Sequence, residues 1–74
     1  MVIMEYLLVT FPQDREVLID QEVQGRTNET IEVEKGTHSI SLKTPPADFR
    51  PRQKKVKLTQ TSPLTPQEVT FVRI

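Results

Sequence analysis

The sequence predicts an all-β fold, a small antiparallel β-sandwich of six or seven short strands. Apolar and polar residues alternate with a period of two in several short segments, which is typical of half-buried strands. Turn-forming residues separate these segments at short intervals, as in sandwiches and small barrels. No segment shows the apolar spacing of an amphipathic helix, and strands without helical crossovers favour antiparallel pairing.

Size and composition set limits on what the chain can do. Its 74 residues predict one domain over residues 1–74. A chain of this size buries only roughly 60% of the surface that its unfolded form exposes, so we expect no deep substrate cavity. The absence of cysteine excludes a disulfide framework, a zinc–thiolate site and a thiol nucleophile. A net charge of zero gives no overall attraction towards nucleic acid or membrane.

The first strand is expected at Met4–Phe11, whose nearly continuous apolar character suits a buried strand. Pro12 ends it, and the short Pro12–Arg15 link predicts a hairpin with a second strand, Glu16–Ile19. Asp20-Gln21-Glu22 then predicts a turn, with Val23–Gln24 at most a very short strand.

The apolar N-terminus, MVIMEYLLVTF, is not expected to enter a membrane. Its 11 residues are too short to cross a bilayer, and it has neither a basic segment nor a small-residue cleavage site. Without a signal peptide the default expectation is a cytoplasmic protein. The expectation changes to the cell envelope if the chain is a fragment of a longer exported protein.

The middle of the chain gives the clearest strand pattern. Thr30–Glu34 alternates cleanly, and His38–Lys43 alternates again after the turn at Glu34–Thr37. Together, Thr30–Lys43 predicts a hairpin. Before it, Gly25 predicts either a positive φ or a close backbone approach.

The C-terminal part predicts two proline-bearing loops and two strands. Thr44–Arg52 is a loop whose single large apolar residue, Phe49, is expected to fold back onto the core as a plug. Gln53–Leu58 predicts a strand, Thr59–Pro66 a second loop, and Gln67–Ile74 the last strand.

The order and spacing of these residues resemble the PEGA domain family. That family's pattern runs from a proline through apolar alternation and Asp-Gly to Gly-x-Thr-Pro, an apolar strand and Gly-x-His. The matching positions here are Pro12, Val17, Ile19, Asp20, Gly25, Thr27, Ile31, Val33, Gly36, His38, Ile40, Leu42, Phe49 and Pro51. The departures are Asp14 and Arg15 at the Gly-Ala pair, Gln21 and Asp48 at glycines, and Asn28 at a proline.

The resemblance extends over roughly Glu5–Leu58 and implies an immunoglobulin-like or prealbumin-like sandwich. It also implies an accessory module, of a kind often found in cell-envelope proteins. The family brings no catalytic residues to transfer to this chain.

Charge divides the chain. Residues 1–37 carry a net charge of −5 and residues 38–74 carry +5. The candidate interaction surface consists of Phe49, Arg50, Arg52, Lys54, Lys55 and Lys57. Its cations suit an anionic partner, although nucleic acid is disfavoured because no exposed aromatic residue interleaves with them. A structural alternative pairs outward Glu32 and Glu34 with Lys55 and Lys57 across a sheet, or uses the lysines to protect a sheet edge.

His38 is the only histidine, and we expect it to cap the core by hydrogen bonding to loop backbone. Catalysis with Ser39 is disfavoured because adjacent strand residues point to opposite faces. A calcium site at Asp20, Glu22 and Glu29 matches no known loop spacing, and acids on solvated faces are ordinary. We therefore expect no cofactor and no enzymatic activity. The expected function is binding of a protein or glycan by a monomer or weak oligomer, with anion binding through residues 50–57 as the alternative.

Overall fold

The computed structural model describes residues 3–74 and confirms the all-β fold class. Every expected strand has a counterpart, the last one is divided into two, and the expected loop Thr44–Arg52 contains one further strand of two residues. The strands are β1 Met4–Thr10, β2 Glu16–Ile19, β3 Glu22–Arg26, β4 Thr30–Glu34, β5 Gly36–Leu42, β6 Phe49–Arg50, β7 Lys54–Leu58, β8 Gln67–Thr70 and β9 Val72–Arg73. The described part of the chain contains no helix that could cross a membrane.

Two larger sheets enclose the core between their inner faces. The first has the order β4-β1-β8 and the second the order β3-β2-β5-β7, while β6 and β9 form a small third sheet. The period-two alternation placed the buried residues correctly: Ile31 and Val33 of β4 are buried, as are Ile40 and Leu42 of β5. The core is completed by Leu7, Val9, Phe11, Val17, Ile19, Phe49, Leu58, Val69 and Phe71.

Both hairpins expected around short links are wrong. β1 and β2 lie in different sheets, so the Pro12–Arg15 link passes from one layer to the other. β4 and β5 also lie in different sheets, so Thr30–Lys43 forms a corner and not a hairpin. Only Lys35 separates these two strands, and Gly36 has a φ of +133°. This conformation suits glycine and turns the chain into the opposite layer.

One strand pair is parallel, which the sequence did not lead us to expect. β8 runs parallel to β1, with Val9 opposite Val69. The loop between β7 and β8 crosses from the second sheet to the first, so a parallel neighbour is reached without a helix. This loop is held to β1 by buried Glu5, whose Oε1 accepts hydrogen bonds from the Thr61 N–H at 2.8 Å and from its hydroxyl at 2.5 Å.

The turn expected at Asp20 is confirmed as the connection between β2 and β3. Asp20 and Gln21 have φ values of 52° and 70°. Two consecutive left-handed residues match the twist of a tight hairpin. β3 is longer than expected because it continues through Gly25 to Arg26.

Gly25 serves close packing, the second of the two expected roles. It has no positive φ, but a Cβ added there would lie 2.6 Å from Cγ1 of Ile31. The backbone of β3 at Gly25 therefore packs directly against the side chain of Ile31 in β4 at this end of the sandwich.

The last expected strand, Gln67–Ile74, is divided at Phe71. β8 belongs to the first sheet, whereas β9 pairs with β6, and Phe71 is buried between them. The Phe49 plug is confirmed, because its ring packs edge-on against Phe11 and Phe71 with centroid distances of 6.3 and 5.7 Å.

We expect Gly25→Ala to destabilise the protein by about 1–3 kcal/mol, because the new methyl group overpacks against Ile31. Urea unfolding of Gly25→Ala and Gln24→Ala, the latter on an exposed neighbour, measures the effect. In an Ile31→Ala background the cost of Gly25→Ala should largely disappear. An equal cost in both backgrounds would contradict the packing explanation.

Candidate interaction surface

β7 is one of the two edge strands of the second sheet, and β3 is the other. β7 pairs only with β5, on one side, and no backbone hydrogen bond within residues 3–74 covers its other side. Lys54, Lys55 and Lys57 are exposed along it. Lys55 and Lys57 share the outer face, as the alternation predicted, since they lie opposite Ser39 and Thr37. The interpretation of these lysines as residues of an edge strand is therefore confirmed.

The expected charge pairing of Lys55 and Lys57 with Glu32 and Glu34 does not occur within the chain. β4 lies in the other sheet, and the direct neighbours of the two lysines are hydroxyl-bearing residues. The six ion pairs among residues 3–74 involve other cations. All five cations of the candidate surface are thus exposed without an acidic partner in the described chain.

Phe49 does not belong to the exposed part of this surface. Its side chain is only 5% exposed, because it packs inside the aromatic cluster. It instead supports the loop that carries Arg50 and Arg52, both of which are exposed. The sequence had placed Phe49 both in the core and on the candidate surface, and the structure supports the first role.

A groove of about 430 Å³ opens beside the start of β7. Leu18, Ser41 and Gln53 line it from the second sheet and its edge, and Ala47 and Arg52 line it from the proline-bearing loop. Arg52 is the only charged side chain in the lining. The groove was not apparent from the sequence, because it forms only where the proline-bearing loop folds back over β2 and β5.

The loop is fixed by an ion pair that sequence reasoning missed. Nη2 of Arg15 donates to both carboxylate oxygens of Asp48, at 3.0 and 3.2 Å, and Nη1 donates to the carbonyl of Pro46. The Arg15 guanidinium also lies over the ring of Phe11, 5.3 Å from its centroid. Both charged residues depart from the family pattern, and their opposite charges were the available signal.

The other departures from that pattern also have local partners. Asp14 accepts a hydrogen bond from Nε of Arg26 at 2.9 Å. Asn28 has a φ of 64° and bonds through its side chain to the backbone of Phe11. Gln21 takes its place in the left-handed turn described above.

His38 lies at the end of the core with both ring nitrogens hydrogen bonded. Nε2 is 2.7 Å from the carbonyl oxygen of Glu34, and Nδ1 is 2.6 Å from Oδ2 of Asp20. A carbonyl and an ionised carboxylate only accept hydrogen bonds, so the doubly protonated ring satisfies both contacts. The expected bond from His38 to backbone is present, but its partner Glu34 is the last residue of β4 and not a loop residue. The partner Asp20 was not predicted.

The electrostatics agree with this geometry. Burial would lower the pKa of His38, but the hydrogen bond to Asp20, the Glu34 carbonyl and the nearby negative charges outweigh burial and raise it. Hydrogen bonds from His38 and from the Ser39 N–H lower the pKa of Asp20. Neither ring nitrogen of His38 contacts a serine hydroxyl. The carboxylate of Asp20 is hydrogen bonded to His38 and to the Ser39 N–H. Residues 3–74 contain no cluster of three acidic or histidine side chains suited to a metal ion.

Comparison with protein families gives a match to the PEGA domain over residues 4–70. This range continues beyond Leu58, where the pattern resembling the family ends, and includes every strand of the two larger sheets. No curated protein and no solved structure matches the chain.

Phe49→Ala should destabilise the protein by about 3–5 kcal/mol, because it removes a buried ring that contacts two others. The matched control is Arg50→Ala at the exposed neighbour, where we expect a change within about 0.5 kcal/mol. Urea unfolding of both variants measures the difference. Equal stability of the two variants would show that Phe49 is not the plug of the core.

The His38–Asp20 pair predicts a pH-dependent stability. Because the pKa of His38 is raised in the folded state, its contribution is fully present below about pH 6.5 and is lost as the pH rises through the folded-state pKa. Because the pKa of Asp20 is lowered, its contribution is lost as the pH falls below about 4.

Urea unfolding of wild type and His38→Gln should therefore differ most near pH 5.5 and less near pH 8.5. Asp20→Asn changes the other member of the pair: it removes the carboxylate charge without straining the turn, because asparagine tolerates the left-handed φ. An NMR titration midpoint of His38 at or below 6.5 would contradict the assignment.

Proposed function

Because the chain belongs to the PEGA domain family, we propose that it is a non-catalytic binding module that recognises a protein or glycan partner. The observation that best supports this function is the free edge strand β7, with its exposed lysines and the adjoining groove at Arg52. A sheet edge with unpaired backbone groups favours an extended protein segment, which adds to the sheet as a further strand. Uncompensated cations on that edge favour a segment rich in Asp and Glu.

The direction of the backbone groups supports strand addition at β7. The Asp20 N–H donates to the carbonyl of Ser39, so the backbone groups of Ser39 point towards β2. Backbone groups point alternately to the two sides of a strand, so those of His38 point towards β7, where they meet the backbone groups of Val56. Lys55 and Lys57 consequently direct their backbone N–H and C=O groups away from β5, towards a partner.

A non-catalytic role agrees with the state of the histidine. Nucleophilic catalysis needs a base within hydrogen-bond reach of a hydroxyl or thiol. Both nitrogens of His38 are instead engaged by Asp20 and by the Glu34 carbonyl. The chain has no cysteine to replace this arrangement.

The alternative function is anion binding, to nucleic acid or to an acidic polymer, through residues 50–57. It is favoured by the five exposed cations that lack acidic partners in the described chain. If all five engaged phosphates of duplex DNA, affinity would follow salt with a logarithmic slope of about −4.5, a roughly 500-fold loss for a fourfold rise in salt. The burial of Phe49 removes the one aromatic ring in this segment on which bases would stack.

NMR titration with an acidic peptide, a sulfated glycan and oligo-dT separates these functions. We expect the peptide to shift the amides of β7 and the groove, and we expect the Lys54→Gln/Lys55→Gln/Lys57→Gln variant to bind it about tenfold or more weakly. Lys35→Gln, at an exposed lysine outside this surface, is the control and should bind as wild type. Binding of oligo-dT with a logarithmic salt slope of about −3.5, the value for five phosphates of a single strand, would favour the alternative. No binding of any probe to β7 would contradict the proposed site.

A further inference from the structure

β4 is an acidic counterpart to the basic edge β7. It is one of the two edge strands of the first sheet, pairing only with β1, and β8 is the other. Glu32 and Glu34 are exposed on its outer face, opposite Tyr6 and Met4. β1 therefore supplies no cation to them, and neither glutamate side chain belongs to an ion pair among residues 3–74. Each of the two edges thus presents charges that its own sheet leaves uncompensated.

The backbone of β4 is oriented for pairing in the same way as that of β7. The Lys35 N–H donates to the carbonyl of Ile3 at 2.8 Å, so the backbone N–H of Lys35 points towards the β1 side. By alternation, Glu34 and Glu32 direct their backbone groups away from β1. The contact between the Glu34 carbonyl and His38 confirms this direction. Glu32 keeps both of its backbone groups available for a new strand.

We propose that β7 of one molecule pairs antiparallel with β4 of a second copy of this chain. This proposal rests on the proposed use of β7 as a binding edge and identifies its partner. In the register with Glu32 opposite Lys57, Glu34 lies opposite Lys55. Glu32 and Lys57 then form a hydrogen-bonded pair of the new ladder, and Glu34 contributes its N–H beside Lys55 because its carbonyl already bonds to His38. The charged side chains of both pairs lie on the same outer face.

The same register matches the inner faces of the two strands. Val33 comes opposite Val56, and Ile31 comes opposite Leu58, so apolar residues continue the inner layer across the junction. A register shifted by one residue would place glutamates opposite apolar positions and lysines opposite valine. Charge and alternation therefore favour the registers in which outward residues lie opposite outward residues. Among these, the register with Glu32 opposite Lys57 places both glutamates opposite lysines.

The two edges lie at opposite ends of the sandwich. β4 packs beside β3 through the contact of Ile31 with Gly25, and β3 and β7 are the two ends of the second sheet. A contact from β7 to β4 therefore leaves one free β4 and one free β7 in every open assembly. Such heterologous contacts build open, head-to-tail chains unless their rotation closes a ring. Their strength depends on a few exposed charge pairs, so association is weak and salt-sensitive.

Charge exchange between two variants tests the pairing. Sedimentation velocity at low salt, over protein concentrations up to the millimolar range, should show reversible association of wild type. Lys55→Glu/Lys57→Glu and Glu32→Lys/Glu34→Lys should each associate about tenfold or more weakly, because each makes both edges alike in charge. An equimolar mixture of the two variants should associate again, since each acidic edge then meets a basic one.

The control is Lys43→Glu/Arg73→Glu, which changes the net charge equally at exposed residues outside β4, β7 and the candidate interaction surface and should associate as wild type. Restored association in the mixture also shows that both variants are folded. Wild type that stays monomeric, or a mixture that does not associate, would overturn the pairing. In that case, continued binding of the acidic peptide to β7 would leave the proposed function intact, whereas loss of both would contradict it as well.

Discussion

The edge-on packing of Phe49 between Phe11 and Phe71 is the contact on which the rest of the structure depends. The three rings come from the end of β1, from the proline-bearing loop and from the residue between β8 and β9. Perpendicular rings at these distances add an electrostatic preference to the burial of their apolar surface. The cluster closes one end of a thin core. It also fixes the loop that places Arg52 beside the start of β7.

Three of the positions at which the chain departs from the family pattern are connected to this cluster. Arg15 and Asp48 replace small residues of the pattern, and together they form a partly buried ion pair beside the ring of Phe11. Asn28 replaces a proline and ties the β3–β4 turn to the backbone of Phe11. At these three positions the chain has side-chain hydrogen bonds where the family pattern has small residues or a proline.

The sequence predicted which face of each strand is buried better than it predicted which strands pair with one another. The alternation of Ile31 and Val33, and of Ile40 and Leu42, correctly identified the buried sides, because a period of two reports which face is apolar. It carries no information on pairing, so the corner at Gly36 was mistaken for a hairpin. The bond of His38 to Glu34 could be predicted from local sequence, since only four positions separate the two residues. The contact of His38 with Asp20 could not, because it depends on the pairing of β2 with β5.

The central position of β1 has a consequence for how the domain is assembled during synthesis. Its two neighbours in the sheet are β4 and β8, and the register of Val9 with Val69 joins positions sixty residues apart. The first layer is therefore incomplete until β8 has left the ribosome, and its closure is entropically costly because the contact is so distant in sequence. Until then, β1 is an apolar strand with an unpaired side. The Thr61 loop, held by Glu5 and Tyr6, contacts β1 earlier in the chain than β8 and shields part of that side first.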